Sequence, residues 1–141
     1  MNHTTKKKPE ELSLPIKEIP MSKEDCAEFY FGIELFNAGK FWHAHESWEK
    51  IWLRHTEDER LFFQGIIQLA AAHHHSVLKK SFNGMKNNFE KALVKLLPFS
   101  PKYLGVDVAL LIEGIESARK KISENGERFE TLCPKIHFLN Q

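Results

Sequence analysis

At 141 residues, with 42% hydrophobic content and eleven Phe, the chain suits one domain with a sizeable core. Lys+Arg 20 against Asp+Glu 19 leaves a net charge of +1, which gives no basic excess for non-specific nucleic-acid binding. No apolar run approaches the ~20 residues of a membrane-spanning helix, and no apolar stretch of a secretory signal follows the basic segment Met1–Pro9.

Residues 1–21 hold Pro9, Pro15 and Pro20 but no helical period, and read as a flexible or loosely docked tail. Ser22 followed by Asp25 forms a variant capping box that opens helix A, about 22–38, with Cys26, Phe29, Tyr30, Ile33 and Phe36 as its buried stripe. Asn37-Ala38-Gly39-Lys40 is a turn before helix B at about 41–54. Thr56-Glu57-Asp58-Glu59 reads as a second capping box, starting helix C at about 57–80. Leu61, Phe62, Phe63, Ile66, Ile67, Leu69, Ala70, Val77 and Leu78 make helix C apolar almost all round, as the centre of a bundle requires.

Ser81-Phe82-Asn83-Gly84 breaks the pattern, and helix D follows at about 85–97 until Pro98 and Pro101 end it. Asp107 caps helix E, about 108–124, and Asn125-Gly126 stops it. No strand-like alternation is present. Residues 125–141 read as an extended tail docked on a single helical domain at 22–124. Cys26 and Cys133 lack metal-type spacing and read as free thiols of a reducing cytoplasm, with a bridge between them as the alternative.

Helix B carries the sharpest signal. At about 100° per residue, Phe41, Trp48 and Trp52 share one side, flanked by Ala44 and Ile51 and widened by Trp42 and Leu53. His45 and Glu49, one turn apart, fall inside this apolar arc. Burying such groups is costly unless they are paired or hydrogen-bonded. On helix C, Arg60, Gln64, Gln68, His75 and Lys79 form a narrow polar stripe, with Ala71 and Ala72 beside it leaving room. The simplest packing turns this stripe toward helix B, so that Arg60 neutralises Glu49 while Gln64 and Gln68 bond His45 or Glu46. The alternative is a solvated seam.

His45-Glu46-x-x-Glu49 also looks like the zinc-peptidase motif His-Glu-x-x-His with Glu in the last place. Ligands at i and i+4 share a helix face, and Glu46 would be the general base on a bound water. His75 or Gln68 would supply the third ligand. Adjacent helical residues point about 100° apart, so His73, His74 and His75 cannot chelate one ion together. His73 and His74 read as packing or surface residues, and His43 as exposed.

These motifs together resemble domain-of-unknown-function family three-hundred-nine, small all-helical proteins of bacteria, archaea and plastids. The resemblance lies in Phe36-Asn37-x-Gly39-x-Phe41, His45-Glu46-x-Trp48-Glu49-x-x-Trp52 and Arg60-x-x-Phe63-Gln64-Gly65-Ile66-Ile67-Gln68-Leu69-Ala70, with His75 as the later His. Asn83-Gly84, at the family's short turn, and Leu104-Gly105-x-Asp107 extend it to about residues 22–124. It implies an all-α fold, a compact bundle of about five helices arranged as antiparallel hairpins. It supplies no reaction. The three-His run departs from the family, whose members more often carry apolar or aromatic residues before the last His.

The expectation is therefore a cytoplasmic, non-enzymatic binding or interaction protein without a cofactor. Its partner would be a protein or small molecule, with no membrane association and an oligomeric state left open. A site of His45, Glu46, Glu49, Arg60, Gln64, Gln68 and His75 would serve it. The alternative is a transition-metal protein or metal-dependent hydrolase using His45, Glu46, Glu49 and His75. An RNA role through Lys79, Lys80, Lys86, Lys91 and Lys95 is disfavoured, because these lysines suit wet helix faces and lack interleaved aromatics for base stacking.

Overall fold

The computed structural model describes residues 8–79, 82–124 and 134–139, with the side chains of 75–79, 82 and 123–124 left undescribed. Five α-helices make up the described fold: α1 (Lys23–Asn37), α2 (Phe41–Arg54), α3 (Leu61–Lys79), α4 (Phe82–Leu96) and α5 (Val108–Glu124). Each packs on its successor in sequence. Short connections make such neighbours antiparallel, which gives a mostly helical compact bundle, as expected.

The Ser22–Asp25 capping box forms in both directions: Ser22 Oγ accepts from Asp25 N at 3.0 Å, and Ser22 N donates to Asp25 Oδ2 at 3.3 Å. Phe29, Ile33 and Phe36 are buried on α1, as the periodicity demands. Tyr30 is half exposed and Cys26 only partly buried, against expectation. Gly32 explains the rotation. It lets the α2 indole of Trp48 lie directly on the helix, and an added Cβ would sit 2.8 Å from Trp48 Cδ1. The face centred on Gly32 therefore points inward, while the Tyr30 ring turns to Phe138 of the C-terminal segment, centroids 5.1 Å apart. Gly39 ends the helix with φ 84°, the left-handed conformation that glycine adopts without penalty.

Trp48, Ala44, Ile51 and Trp52 form the buried side of α2, with Phe41 partly buried and Trp42 and Leu53 exposed at its margins. They meet Phe62, Phe63 and Ile66 of α3, all essentially sealed from solvent. Phe29 stands edge-on to Phe63, centroids 5.8 Å apart at 87°, the geometry that ring quadrupoles favour.

Two helix starts differ from expectation. Thr56 makes no cap. Instead a 3-10 turn, Asp58–Arg60, precedes α3, because Glu57 turns back to Thr56 N and the His55 ring. Helix α4 begins at Phe82, so Asn83 and Gly84 lie inside its first turn rather than in a connection. Asn88 Nδ2 donates to Gly84 O at 3.0 Å and holds that turn. Asp107 does cap α5, accepting from Leu110 N at 3.0 Å.

A two-stranded antiparallel ladder, β1 (Lys102–Tyr103) and β2 (Val106–Asp107), joins α4 to α5. It is too short to show as alternation in the sequence. Leu104 (φ 50°) and Gly105 (φ 81°) form its two-residue turn with both central residues left-handed, the twist that a tight hairpin needs.

Leu12 and Ile19 of the N-terminal segment are buried. Tyr103 Oη donates to Lys17 O at 2.6 Å and accepts from Ile19 N at 2.9 Å, which pins the segment to the hairpin. On the C-terminal side, Asn37 brackets Ile136 with two hydrogen bonds of 2.9 Å. Cys26 is a free thiol; Cys133, and with it the alternative bridge, lies outside the described residues.

Candidate ligand-binding cleft

Three helices enclose a cleft of about 290 Å³, lined by His45, Glu49 and Trp52 of α2, Gln64, Ile67, Gln68 and Ala71 of α3, and Lys95 of α4. The i, i+4 spacing of His45 and Glu49 brings both to one face of α2. Gln64, Gln68 and Ala71 follow the same rule on α3 and face the same space. Four of the seven residues proposed from sequence thus converge. Their side chains are neither sealed in the core nor splayed into solvent: His45, Glu49 and Gln68 are partly buried, and Gln64 is 9% exposed.

The hydrogen bonding differs from expectation. Arg60 does not neutralise Glu49. Because Arg60 belongs to the 3-10 turn and not to α3, its guanidinium swings to the end of α2. There Nη1 donates to His55 O at 2.7 Å and to Trp52 O at 3.4 Å, and the guanidinium lies 4.2 Å from the Trp52 ring centroid. Gln68 bonds neither His45 nor Glu46. Its Nε2 donates to Asn88 Oδ1, and its Oε1 accepts from Lys95 Nζ at 3.2 Å. The Gln68 amide is thus answered by α4 rather than by α2. Glu46 is exposed and does not line the cleft. The side chain of His75 lies outside the described residues.

Three polar groups of the cleft residues have no partner among the described residues. Glu49 makes no hydrogen bond or ion pair among the described residues. Gln64 Oε1 and His45 Nδ1 are buried atoms with no hydrogen bond among the described residues. The His45 ring is held instead by stacking, almost parallel to Trp42 at 6° with centroids 5.1 Å apart. Trp42 also meets His74 at 5.0 Å. His74 therefore packs beside the cleft mouth.

His73 is 0% exposed among Phe36, Phe41 and Phe89, stacked on Phe41 with centroids 4.8 Å apart. Neither ring nitrogen has a hydrogen-bond partner among the described residues, and burial pushes its pKa down to about 3. It is a neutral packing residue, one of the two roles expected.

Two residues of the polar network around Gln68 have little signal in the sequence. Lys95 was assigned to a wet face, and Asn88 was not singled out. The only signal for either was the Asn88/Lys95 spacing of seven residues, two turns on one face of α4. A second polar group also went unread: Asp25, 3% exposed, receives Arg54 Nε at 2.9 Å and contacts His55 Nε2 at 2.8 Å. Among the described residues, no three His, Cys, Asp or Glu side chains group as metal ligands.

Fold and cleft together define a small helical-bundle protein with a polar, partly lined cavity between its central helices. Residues 29–88 match the model of a family described as Domain of unknown function (DUF309), so the resemblance read from the motifs holds over just under half of the chain. The match contains every site residue proposed from sequence but neither Lys95 nor Asp25. No match to the chain is found among curated proteins. Among the described residues, no helix is long and apolar enough to cross a membrane.

Proposed function

We propose that this domain is a non-enzymatic binding protein of the cytoplasm that receives a small polar molecule between α2, α3 and α4. One observation supports the reading: Glu49 and Gln64 line the cleft with acceptor oxygens that no donor among the described residues satisfies. A purely architectural cluster would pair the buried Gln64 Oε1, because an unsatisfied buried acceptor costs about 1–3 kcal/mol. The cavity of about 290 Å³ lies near the lower end for small-molecule sites and suits a small metabolite better than a protein segment.

The metal-dependent reading rests on fewer donors. His45 and Glu49 share the cleft, but Glu46, its general base, faces away.

The test is a screen of small polar fragments against the 15N-labelled full chain, read at the indole N–H signals of Trp42, Trp48 and Trp52. Fragments that shift Trp52 and lose that effect in Glu49→Gln and Gln64→Leu support the reading. A library that leaves Trp52 unmoved overturns it.

A further inference from the structure

We infer that the cleft takes a zwitterion of the α-amino-acid class, its ammonium group on Glu49 and Gln64 and its carboxylate toward Lys95. This rests on the binding reading above and names its ligand.

The charges are segregated by helix. Glu49 presents a carboxylate from α2, unanswered among the described residues. A carboxylate can only accept hydrogen bonds, so its complement is an N–H-rich cation. Gln64, less than a tenth exposed, lines the same space and has an Oε1 that also lacks a donor. An ammonium group has three N–H bonds and serves both acceptors at once. A neutral hydroxyl brings only one.

The opposite wall has the opposite sign. Lys95 reaches the cleft from α4, with Nζ held by Gln68 Oε1 at 3.2 Å while Asn88 fixes the other end of the Gln68 amide. This relay sets the position of the positive charge before any ligand arrives, which lowers the ordering cost of binding. Ile67 and Ala71 lie on α3, the helix between the two charged walls, and offer an apolar surface to a short side chain. One negative and one positive wall disfavour a pure cation and a pure anion alike. The volume equals that of roughly ten liquid waters, enough for a single amino acid.

Three matched probes test this on the full chain. L-leucine carries both charges, 3-methylbutylamine only the cation and N-acetyl-L-leucine only the anion. Titrations read at the Trp52 indole should show leucine binding at least about tenfold more tightly than either single-charge probe. Glu49→Gln should weaken leucine and the amine but not the N-acetyl compound. Lys95→Met should weaken leucine and the N-acetyl compound but not the amine. Both side chains are only partly buried, and melting curves confirm that the variants fold. Equal affinity for the three probes, or a charge preference insensitive to both substitutions, overturns the assignment. If none of the three moves Trp52 while other polar fragments do, the ligand class fails and the binding reading stands. If no compound of either set moves Trp52, both fail.

Discussion

One imidazole bridges two carboxylates: His55 Nε2 lies 2.8 Å from Asp25 Oδ2, and His55 Nδ1 lies 3.1 Å from Glu57 Oε1. Only the doubly protonated ring gives each carboxylate an N–H. Arg54 closes the group, its Nη2 2.7 Å from Asp25 Oδ1. The cluster ties the first turn of α1 to the end of α2 and to the turn before α3.

Asp25→Ala should therefore destabilise the protein by about 1–3 kcal/mol, because it leaves the nearly buried His55 ring without its carboxylate while the exposed Arg54 returns to water. Burial raises the Asp25 pKa, but the hydrogen bonds from His55 and Arg54, with that from Ser22, outweigh it and hold the carboxyl below its ordinary value. Its contribution is full above the ordinary carboxylate range and is lost as pH falls through the lowered value. Urea melts at strongly acidic pH, below the ordinary carboxylate range, should show the wild type converging on Asp25→Ala, with the loss from His73 common to both.

His73 acts on stability at higher pH. Its folded pKa of about 3 lies below the ordinary 6.5, so the unfolded chain binds the proton first and stability falls as pH drops below 6.5. At about pH 5 the loss from this one ring should approach 2 kcal/mol. His73→Leu should raise the melting temperature, and the gain should grow between neutral pH and about pH 5. A gain independent of pH would show that the ring does not titrate on unfolding.

Arg60 works as a cap and a lid. It satisfies Trp52 O and His55 O at the end of α2 and covers the Trp52 ring. Arg60→Ala should cost about 1–2 kcal/mol in chemical denaturation. Arg60→Lys should recover only part of this, because an ammonium lacks the planar fork that donates and stacks together.

Glu49 should behave in the opposite way. It has no partner among the described residues and is partly exposed. Glu49→Ala should shift unfolding free energy by no more than about 0.5 kcal/mol. A loss several times larger would mean that Glu49 is architectural, as a pairing with Arg60 would have made it.

The cap of α1, the buried face of α2, the apolar centre of α3 and the cap of α5 were legible because each depends on neighbours within one or two turns. His45, Glu49, Gln64 and Gln68 were placed on the correct faces for the same reason. Their partners were not legible. Arg60 was assigned to helix C by its spacing, and a short 3-10 turn was enough to send it elsewhere. Gln68 was assigned to α2 because periodicity gives a direction around a helix but not which neighbour stands there. The pairings of Asp25 with His55 and of Gln68 with Lys95 carry no local signal, since they are made across 30 and 27 residues of chain.

The sequence by itself determined the number of helices, most of their inward faces and the helix faces that carry Glu49 and Gln64, because helical periodicity and capping are local. Only the tertiary structure decided that Gln68 turns to α4, that Lys95 brings the opposite charge and that Glu49 has no partner among the described residues. The physical reason is that hydrogen bonds form over about 3 Å between side chains, so the crossing of packed helices, and not spacing along the chain, selects each partner.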